Sequence, residues 1–265
     1  MKAFAFLSLF IVSSLNLKAQ DPKPPRQVYF FLGIGVPLTK VRDQAHSPLK
    51  YQGWTPTLRI GHEEITGNHV SRISISGSFG SATPKSRPKP KQNLSNLDIS
   101  NIQVNYAYYH RRGAYDTEGW NNYFGGAITF TFDVRNYSLP SNNLMGYQTN
   151  LSLNVGTFVQ RKLSDTWRFN YEAFTPIISY SLRPTYLGML PMKNSDFNAK
   201  NVFSNGKVVT VNKLFRFYNR FSFDQQINDH RQRRLFYSWD YHNNTVSKPL
   251  QSISGGVGYE SLFKL

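Results

Sequence analysis

The feature of this chain that most limits what it can fold into is a regular alternation of apolar and polar residues over long runs. The clearest run spans residues 208–224. One of its faces carries Val209, Val211, Phe215, Phe217, Phe221 and Phe223. The other face carries Thr210, Asn212, Arg216, Tyr218, Arg220, Ser222 and Asp224. Because successive side chains of a β-strand point to opposite faces, this run predicts a strand with one apolar and one charged face.

The same pattern recurs along the chain and predicts an all-β fold. Each run is closed by residues that favour turns, which is the usual sequence boundary of a strand. Ten strands are predicted, centred on residues 28–38, 51–61, 70–80, 97–111, 121–135, 147–160, 166–182, 208–224, 232–242 and 251–264. Counts of eight and twelve stay open, because the segments 97–120 and 183–207 are difficult to divide.

The lengths of the connections indicate how these strands are arranged. The longest odd-numbered connections are 81–96 and 183–207, whereas every even-numbered connection is short. An even number of strands with long loops at one end and short turns at the other is typical of an antiparallel transmembrane β-barrel. A secreted β-sandwich, with its charged face in water, is the alternative architecture.

The N-terminal segment has the composition of a cleavable signal peptide. Lys2 supplies a positive charge, an apolar run follows as far as Leu17, and the predicted signal peptide comprises residues 1–19. Residues 20–26 predict an extended, proline-rich lead-in, which leaves residues 27–265 as a single barrel domain. The formal net charge is +16, and the absence of cysteine excludes disulfides, thiolate metal sites and a cysteine nucleophile.

The last predicted strand carries a resemblance to a known class of proteins. Within residues 254–265, Val257, Tyr259, Phe263 and Leu265 share one face, which Ser261 interrupts. This strand is similar to the assembly signal of bacterial outer-membrane β-barrels of the Bacteroidota type, although that class ends in an aromatic residue rather than Leu265. The resemblance implies insertion into the outer membrane of a Gram-negative cell with both termini in the periplasm. It identifies no subfamily.

The interior of a barrel of about ten strands is narrow and largely filled by side chains. The polar faces of the predicted strands place ten charged residues there: Arg59, Glu63, Arg72, Arg168, Glu172, Arg216, Arg220, Asp224, Asp240 and Glu260. We expect these residues to form a network of ion pairs that fixes the barrel shape, because buried charges are tolerated when they pair. The alternative is a narrow anion-preferring pore or small-solute channel, since basic residues outnumber acidic ones in the chain.

One motif resembles half of a known active site. Asp240 and His242 lie two residues apart on one predicted strand face near the extracellular rim, like the Asp-x-His half of the site in the ten-stranded omptin proteases. The other half, an Asp-x-Asp pair, has no match, since Asp98 and Asp196 stand singly. A structural hydrogen bond between Asp240 and His242 is therefore favoured, and a rim-located hydrolase stays an alternative.

A second motif, His69 and Ser71, is similar to the His-x-Ser pair of outer-membrane phospholipases and lipid A deacylases. The predicted topology places it at the periplasmic end, whereas those enzymes act on lipid of the outer leaflet. No enzymatic activity is therefore expected. The six histidines show no tight metal-ligand spacing, so no metal or other cofactor is expected.

The densest run of basic residues lies in the second connection, where Lys85, Arg87, Lys89 and Lys91 alternate with serine and proline. Lysine and arginine bind phosphates well, so this loop is expected to contact lipopolysaccharide. Nucleic acid is not an expected partner, because the chain is exported and its aromatic residues belong to strands. The predicted function is that of a non-enzymatic outer-membrane barrel of structural or accessory type, whose partners are membrane lipid, lipopolysaccharide and, as a candidate, another barrel or a lipoprotein.

Overall fold

The alternating runs form antiparallel β-strands in the computed structural model of the protein. The structure describes residues 26–45, 47, 49–85, 96–117, 119–138, 143–183 and 206–265. The predicted signal peptide, the lead-in except for its last residue, and the residues Arg87, Lys89, Lys91 and Asp196 lie outside these ranges. Within them, no helix is long and apolar enough to cross a membrane.

Twelve strand segments follow one another along the described chain. They are β1 (Gln27–Asp43), β2 (Lys50–Trp54), β3 (Thr57–Ile65), β4 (His69–Pro84), β5 (Asn96–Arg112), β6 (Trp120–Ser138), β7 (Asn143–Lys162), β8 (Trp167–Leu182), β9 (Lys207–Thr210), β10 (Leu214–Asn228), β11 (Arg231–Asn244) and β12 (Leu250–Lys264).

These segments close into one ring with ten strand positions, because two positions are each filled by two consecutive segments. β2 and β3 both pair with β1 and β4, and the pairing lapses at Pro56, which cannot donate a ladder hydrogen bond. β9 and β10 both pair with β8, and between them the amide of Lys213 donates to the carbonyl of Thr210 at 3.0 Å. β1 pairs with β12, and β10 pairs with both β8 and β11, so the ring is closed. The predicted antiparallel β-barrel of about ten strands is confirmed.

The strands are longer than the alternation predicts, and several connections are correspondingly shorter. The predicted connection 39–50 shrinks to residues 44–49, because β1 continues to Asp43. In the same way β6 and β7 leave only residues 139–142 between them. The difference in length between odd and even connections therefore rests mainly on residues 85–95 and 183–206.

The two ends of the barrel are distinct. The amide of Leu265 donates to the carbonyl of Val28 at 2.9 Å, so β1 begins where β12 ends. The even-numbered connections, such as residues 66–68 and 229–230, lie at this end, which we call the short-turn end. The odd-numbered connections lie at the opposite end, which we call the loop end.

The outward face of the ring is apolar at every strand position. Its exposed large side chains include Leu32, Ile34, Val36, Leu58, Ile60, Ile73, Ile75, Phe79, Ile102, Tyr106, Phe124, Ile128, Leu151, Leu153, Ile177, Ile178, Phe215, Phe221, Phe223, Leu235, Tyr237 and Val257. A contiguous apolar surface of this extent is unusual on a monomer in water. It has the character of the apolar band that transmembrane barrels turn towards acyl chains.

Apolar side chains also fill the interior near both ends of the barrel. The cluster at the short-turn end contains Ile65, Val70, Ala107, Tyr109, Tyr123, Ala127 and Phe158. The cluster at the loop end contains Val41, Tyr51, Ala82, Leu97, Ile99, Tyr137 and Leu250. Between the two clusters the interior is polar, and the charged residues lie there.

Candidate functional site in the barrel interior

Eight charged side chains meet inside the barrel, in its half nearer the short turns. They are Arg59, Arg72, Arg220, Arg234, Glu63, Glu172, Asp224 and Glu260, and we call this set the lumen network. Four guanidinium groups face four carboxylates, so the formal charges cancel. All of these residues except Arg59 are at most 4% exposed.

Arg234 on β11 is the centre of this network. Asp224 and Glu260 are its direct cross-strand neighbours on β10 and β12. Its Nε and Nη2 atoms donate to Oδ1 and Oδ2 of Asp224 at 2.6 and 2.8 Å. Its Nη2 and Nη1 atoms also donate to Oε1 and Oε2 of Glu63 at 2.7 and 3.1 Å. One guanidinium thus joins carboxylates from β3 and β10, and it approaches Glu260 Oε2 at 3.4 Å as well.

Arg72 on β4 carries the network across the barrel. It lies opposite Glu63 in the β3–β4 register, and its Nε donates to Glu63 Oε2 at 2.5 Å. Its Nη1 donates to Oε2 of Glu172 on β8 at 2.6 Å, although β5, β6 and β7 separate these two strands around the ring. The hydroxyl of Tyr109 on β5 donates to Oε1 of the same glutamate at 3.1 Å.

Glu260 on β12 completes the network on the other side. Its Oε1 atom lies 2.7 Å from Nη2 of Arg220 and 3.4 Å from Nη1 of Arg59. The guanidinium of Arg220 also lies over the ring of Phe236, with 4.0 Å between its Cζ and the ring centroid. Contacts therefore run from β3 and β4 to β8, β10, β11 and β12, which makes the network a layer across the interior.

A second, smaller set of charges lies nearer the loop end. Arg183 donates to Asp43 Oδ1, and Nη1 of Arg135 lies 3.6 Å from Oδ2 of the same aspartate. Nη2 of Arg135 donates to Asp133 Oδ2 at 2.8 Å. Asp43 and Arg183 fall in the segments 39–50 and 183–207, which the sequence predicts as connections, so neither was expected in the interior.

A cavity of about 220 Å³ lies beside these charges. Hydroxyl and amide side chains dominate its wall, namely Thr39, Thr55, Thr57, Ser76, Ser78, Asn101, Gln103, Asn105, Thr131, Asn150, Ser152, Ser238, Ser252 and Ser254. Its charged lining consists of Arg59, Arg135, Arg216, Asp133, Glu172 and Asp240. Since three arginines face three carboxylates, the cavity carries no excess of positive formal charge.

Asp240 and His242, the candidate catalytic pair, both line this cavity. The carboxylate of Asp240 accepts from Arg216, from Nε to Oδ1 at 3.0 Å and from Nη2 to Oδ2 at 2.5 Å. The Nε2 atom of His242 lies 3.5 Å from Nε2 of Gln148. No hydrogen bond joins Asp240 to His242 in the described ranges, because Arg216, the cross-strand neighbour of His242, engages the aspartate instead.

The ten residues that the sequence places in the interior thus separate into three groups. Seven belong to the lumen network, and Arg216 and Asp240 form their own ion pair. Arg168 is half-buried near the short-turn end, where its Nη1 donates to Oε1 of Gln27 at 3.3 Å. The network's central residue, Arg234, is absent from the predicted set, although the alternation along β11 puts it on the same face as Asp240.

The remaining candidates lie outside the interior. His69 and Ser71 are on the outward face of β4 at the short-turn end, and the ring of His69 stacks on Tyr108 with centroids 5.4 Å apart. Asp98 is exposed on β5 and accepts from the hydroxyl of Ser81 at 2.5 Å. Lys85 is exposed directly after β4 at the loop end. Among the described residues, no group of three or more histidine and acidic side chains is placed to hold a metal ion.

A closed antiparallel ring with an apolar outer face and a polar interior is typical of the outer-membrane β-barrel proteins, and this chain has that fold. The solved structures that this chain is similar to include the outer membrane protease OmpT from Escherichia coli, at 5% identity and a TM-score of 0.53, over 95% of this chain and 99% of that one. They also include the transport unit of the autotransporter AIDA-I from Escherichia coli, at 8% identity and a TM-score of 0.44, over 97% and 95% of the two chains. No family model and no curated protein matches the sequence. The likeness to OmpT shows the shared fold and nothing finer.

Proposed function

We propose that this protein is an integral outer-membrane barrel of structural or accessory type, closed to solutes and without enzymatic activity. The outward apolar face supports the membrane location, because exposed side chains such as Ile75, Ile128 and Leu153 would be unfavourable in water. In this proposal the signal peptide directs export, and the short-turn end, with both chain ends, faces the periplasm.

The observation that carries the closed state is the lumen network. Removing an ion from water into a protein interior costs several kcal/mol unless an opposite charge and good hydrogen bonds compensate it. Every member of the network has an oppositely charged group within 3.4 Å, and the pairs Arg72–Glu172 and Arg234–Glu63 connect strands that are not neighbours. An ion passing along the axis would have to separate these pairs.

The narrow pore is the second candidate, and the polar cavity of about 220 Å³ is the observation in its favour. A small solute could occupy that volume from the loop end. Anion preference has no support from the formal charges of the cavity, since its arginines and carboxylates are equal in number. A hydrolase based on Asp240 has less support, because the bidentate ion pair to Arg216 occupies both oxygens of its carboxylate.

Conductance across a planar bilayer tests the closed state. We expect the purified wild-type barrel to give no steady channels in chloride, acetate or phosphate salts. We expect the double variant Arg72→Ala with Glu172→Ala to give measurable conductance, because it removes the pair that crosses the interior without changing the net charge. Frequent channels in the wild type would favour the pore instead. A lack of channels in a folded double variant would show that other side chains close the lumen.

The proposed partners are lipopolysaccharide, through basic residues at the loop end, and another envelope protein. Lys85 is the described member of the predicted basic loop, and its exposure at that end supports the lipid contact. Extraction of the native barrel in mild detergent, followed by identification of what remains bound, tests both partners. A barrel that is recovered alone and free of lipopolysaccharide would contradict this part of the proposal.

A further inference from the structure

A basic groove lies on the outer wall of the barrel at its loop end. Four cationic side chains, Lys40, Arg42, Lys50 and Lys85, line it. All four lie at or next to the strand ends that face the loop-end connections. Arg42 and Lys50 are direct neighbours across the β1–β2 pair, and the amide of Lys85 donates to the carbonyl of Lys50 at 2.8 Å. Its volume is about 290 Å³.

The groove combines these cations with an apolar floor. Ile253 on β12 is the direct cross-strand neighbour of Lys40 on β1 and of Tyr241 on β11, so the three side chains form one row on the outward face. Lysine and arginine can lay their apolar stems along such a row and hold their charges above it. The site therefore offers apolar contacts on one side and positive charge on the other.

Along the barrel axis, the groove lies at the loop-end edge of the apolar outward face. Val36 is the last of four exposed apolar residues on β1, and Lys40 follows four residues later, about 13 Å further along the strand. Trp54 on β2, opposite Leu38, is 58% exposed between these two levels. Tryptophan prefers the interface between acyl chains and head groups, which places the cations at head-group level.

The cations of the groove have no anionic partner in the described part of the chain. None of the four takes part in a described ion pair, in contrast to the arginines of the lumen network. Arg42 and Lys50 are like charges directly opposite each other, an arrangement that destabilises a strand pair. The Nε atom of Arg42 is buried and has no hydrogen-bond partner in the described structure. A bound anion would therefore neutralise these unpaired cations and relieve the repulsion between Arg42 and Lys50.

We propose that this groove binds a phosphorylated glycolipid of the outer leaflet, of the lipid A type, with its phosphate among Lys40, Arg42, Lys50 and Lys85 and an acyl chain along Ile253 and Tyr241. The proposal rests on the outer-membrane location proposed above and specifies which residues hold the lipid. A free phosphate would use the charges alone, and an acidic protein would not match a groove that opens towards acyl chains.

Binding of purified lipid A to the full-length mature barrel in detergent micelles tests this site. The site variant replaces the four cations together: Lys40→Gln, Arg42→Gln, Lys50→Gln and Lys85→Gln. A matched control removes the same number of charges from exposed positions at the short-turn end: Arg161→Gln, Lys162→Gln, Arg233→Gln and Lys264→Gln. Lipid retained per barrel is counted by native mass spectrometry over a range of lipid A concentrations.

We expect the site variant to bind bis-phosphorylated lipid A at least about tenfold more weakly than the wild type, because charge-assisted contacts to phosphate are lost. We expect the control to stay within about twofold, because its charges lie at the other end of the barrel. Equal loss in both variants would overturn the site, and so would unchanged binding in the site variant. Lipid A without phosphates that binds as well as the phosphorylated form, or inorganic pyrophosphate that displaces the lipid at equal concentration, would also overturn the proposal.

The single variant Lys50→Glu gives a second test that does not depend on loss of binding alone. It replaces the repulsive neighbour of Arg42 by an attractive one, so the melting temperature without lipid should rise. The further rise that lipid A causes in the wild type should disappear. If the wild type folds as a barrel in the outer membrane but lipid A does not raise its melting temperature, the lipid site alone is overturned. If the mature chain dissolves without detergent, the proposed function is overturned.

Discussion

Arg234 shows how much of the barrel interior depends on single side chains. It is 1% exposed and bridges Asp224 and Glu63, so its removal would leave two buried carboxylates short of a partner. Breaking a buried ion pair by removing one member typically costs about 3–5 kcal/mol, because an uncompensated charge stays behind. A buried pair as such is only weak evidence for stability, but the loss of one member is expensive.

Replacing Arg234 by alanine should therefore lower the free energy of unfolding by about 3–5 kcal/mol. Equilibrium unfolding in urea, with the barrel in detergent micelles, measures this difference. The control is Arg233→Ala, one residue away on the exposed face of β11, for which we expect a change within about 0.5 kcal/mol. Similar losses in the two variants would contradict a special role for the buried guanidinium.

At this scale the sequence predicts the face of a residue better than its partners. Alternation puts Arg72 and Glu172 in the interior, but their contact joins strands separated by three others, and only the closure of the ring brings them together. The predicted hydrogen bond between Asp240 and His242 is absent from the described structure, because Arg216 on the adjacent strand binds the aspartate instead. The nearest cation, Arg216, comes from β10, and no spacing within β11 can reveal it.

At the scale of the strand, β1 illustrates why the network needs a residue without a side chain. Gly33 faces the interior and is the direct neighbour of Glu260 on one side and Arg59 on the other. A β-carbon added at Gly33 would clash with Cγ of Glu260 and would lie 3.0 Å from the carbonyl oxygen of Tyr259. Glycine at this position lets the carboxylate and the guanidinium meet across the strand.

Gly33→Ala should lower the free energy of unfolding by about 1–3 kcal/mol, because a buried methyl group would displace Glu260 from its arginines. The comparison is Gly77→Ala on β4, where an added β-carbon would meet only the carbonyl oxygen of Asn101 at 4.0 Å. That change should be neutral or stabilising by up to about 1 kcal/mol. Urea unfolding measures the free energy of unfolding of both variants. Equal changes in the two would contradict the claim that Glu260 needs the space beside Gly33.

All ten strand positions were predictable because alternation is a local signal that survives in every strand. The strand ends were not, since β1 and β6 continue beyond the apolar face into residues with no clear alternation of hydropathy. Asp43, for example, is buried at the end of β1 and pairs with Arg183, although the sequence around it predicts a connection between strands. The interruption at Pro56 was also missed, because the flanking segments 51–54 and 57–61 fit one continuous strand.

At the scale of the whole molecule, charge is distributed in two different ways. Inside, the lumen network is neutral and each cation meets a carboxylate. Outside, at the loop end, the cations of the basic groove face each other without described anionic partners. The charges of the lumen network are paired within the described chain, whereas the cations of the groove are not. The proposed binding of a phosphorylated glycolipid would direct the loop end towards the outer leaflet, where that lipid lies.

The proposed orientation of the barrel, with its loop end outside the cell, leads to a prediction that the absence of cysteine makes simple to test. Lys248 is exposed in the connection between β11 and β12 at the loop end, and Asp229 is exposed in the turn between β10 and β11 at the other end. In intact cells, a membrane-impermeant maleimide should label a Lys248→Cys variant and not an Asp229→Cys variant. Both should react after the outer membrane is permeabilised. The reverse pattern would invert the barrel, and equal labelling of both variants in intact cells would contradict a membrane-spanning location.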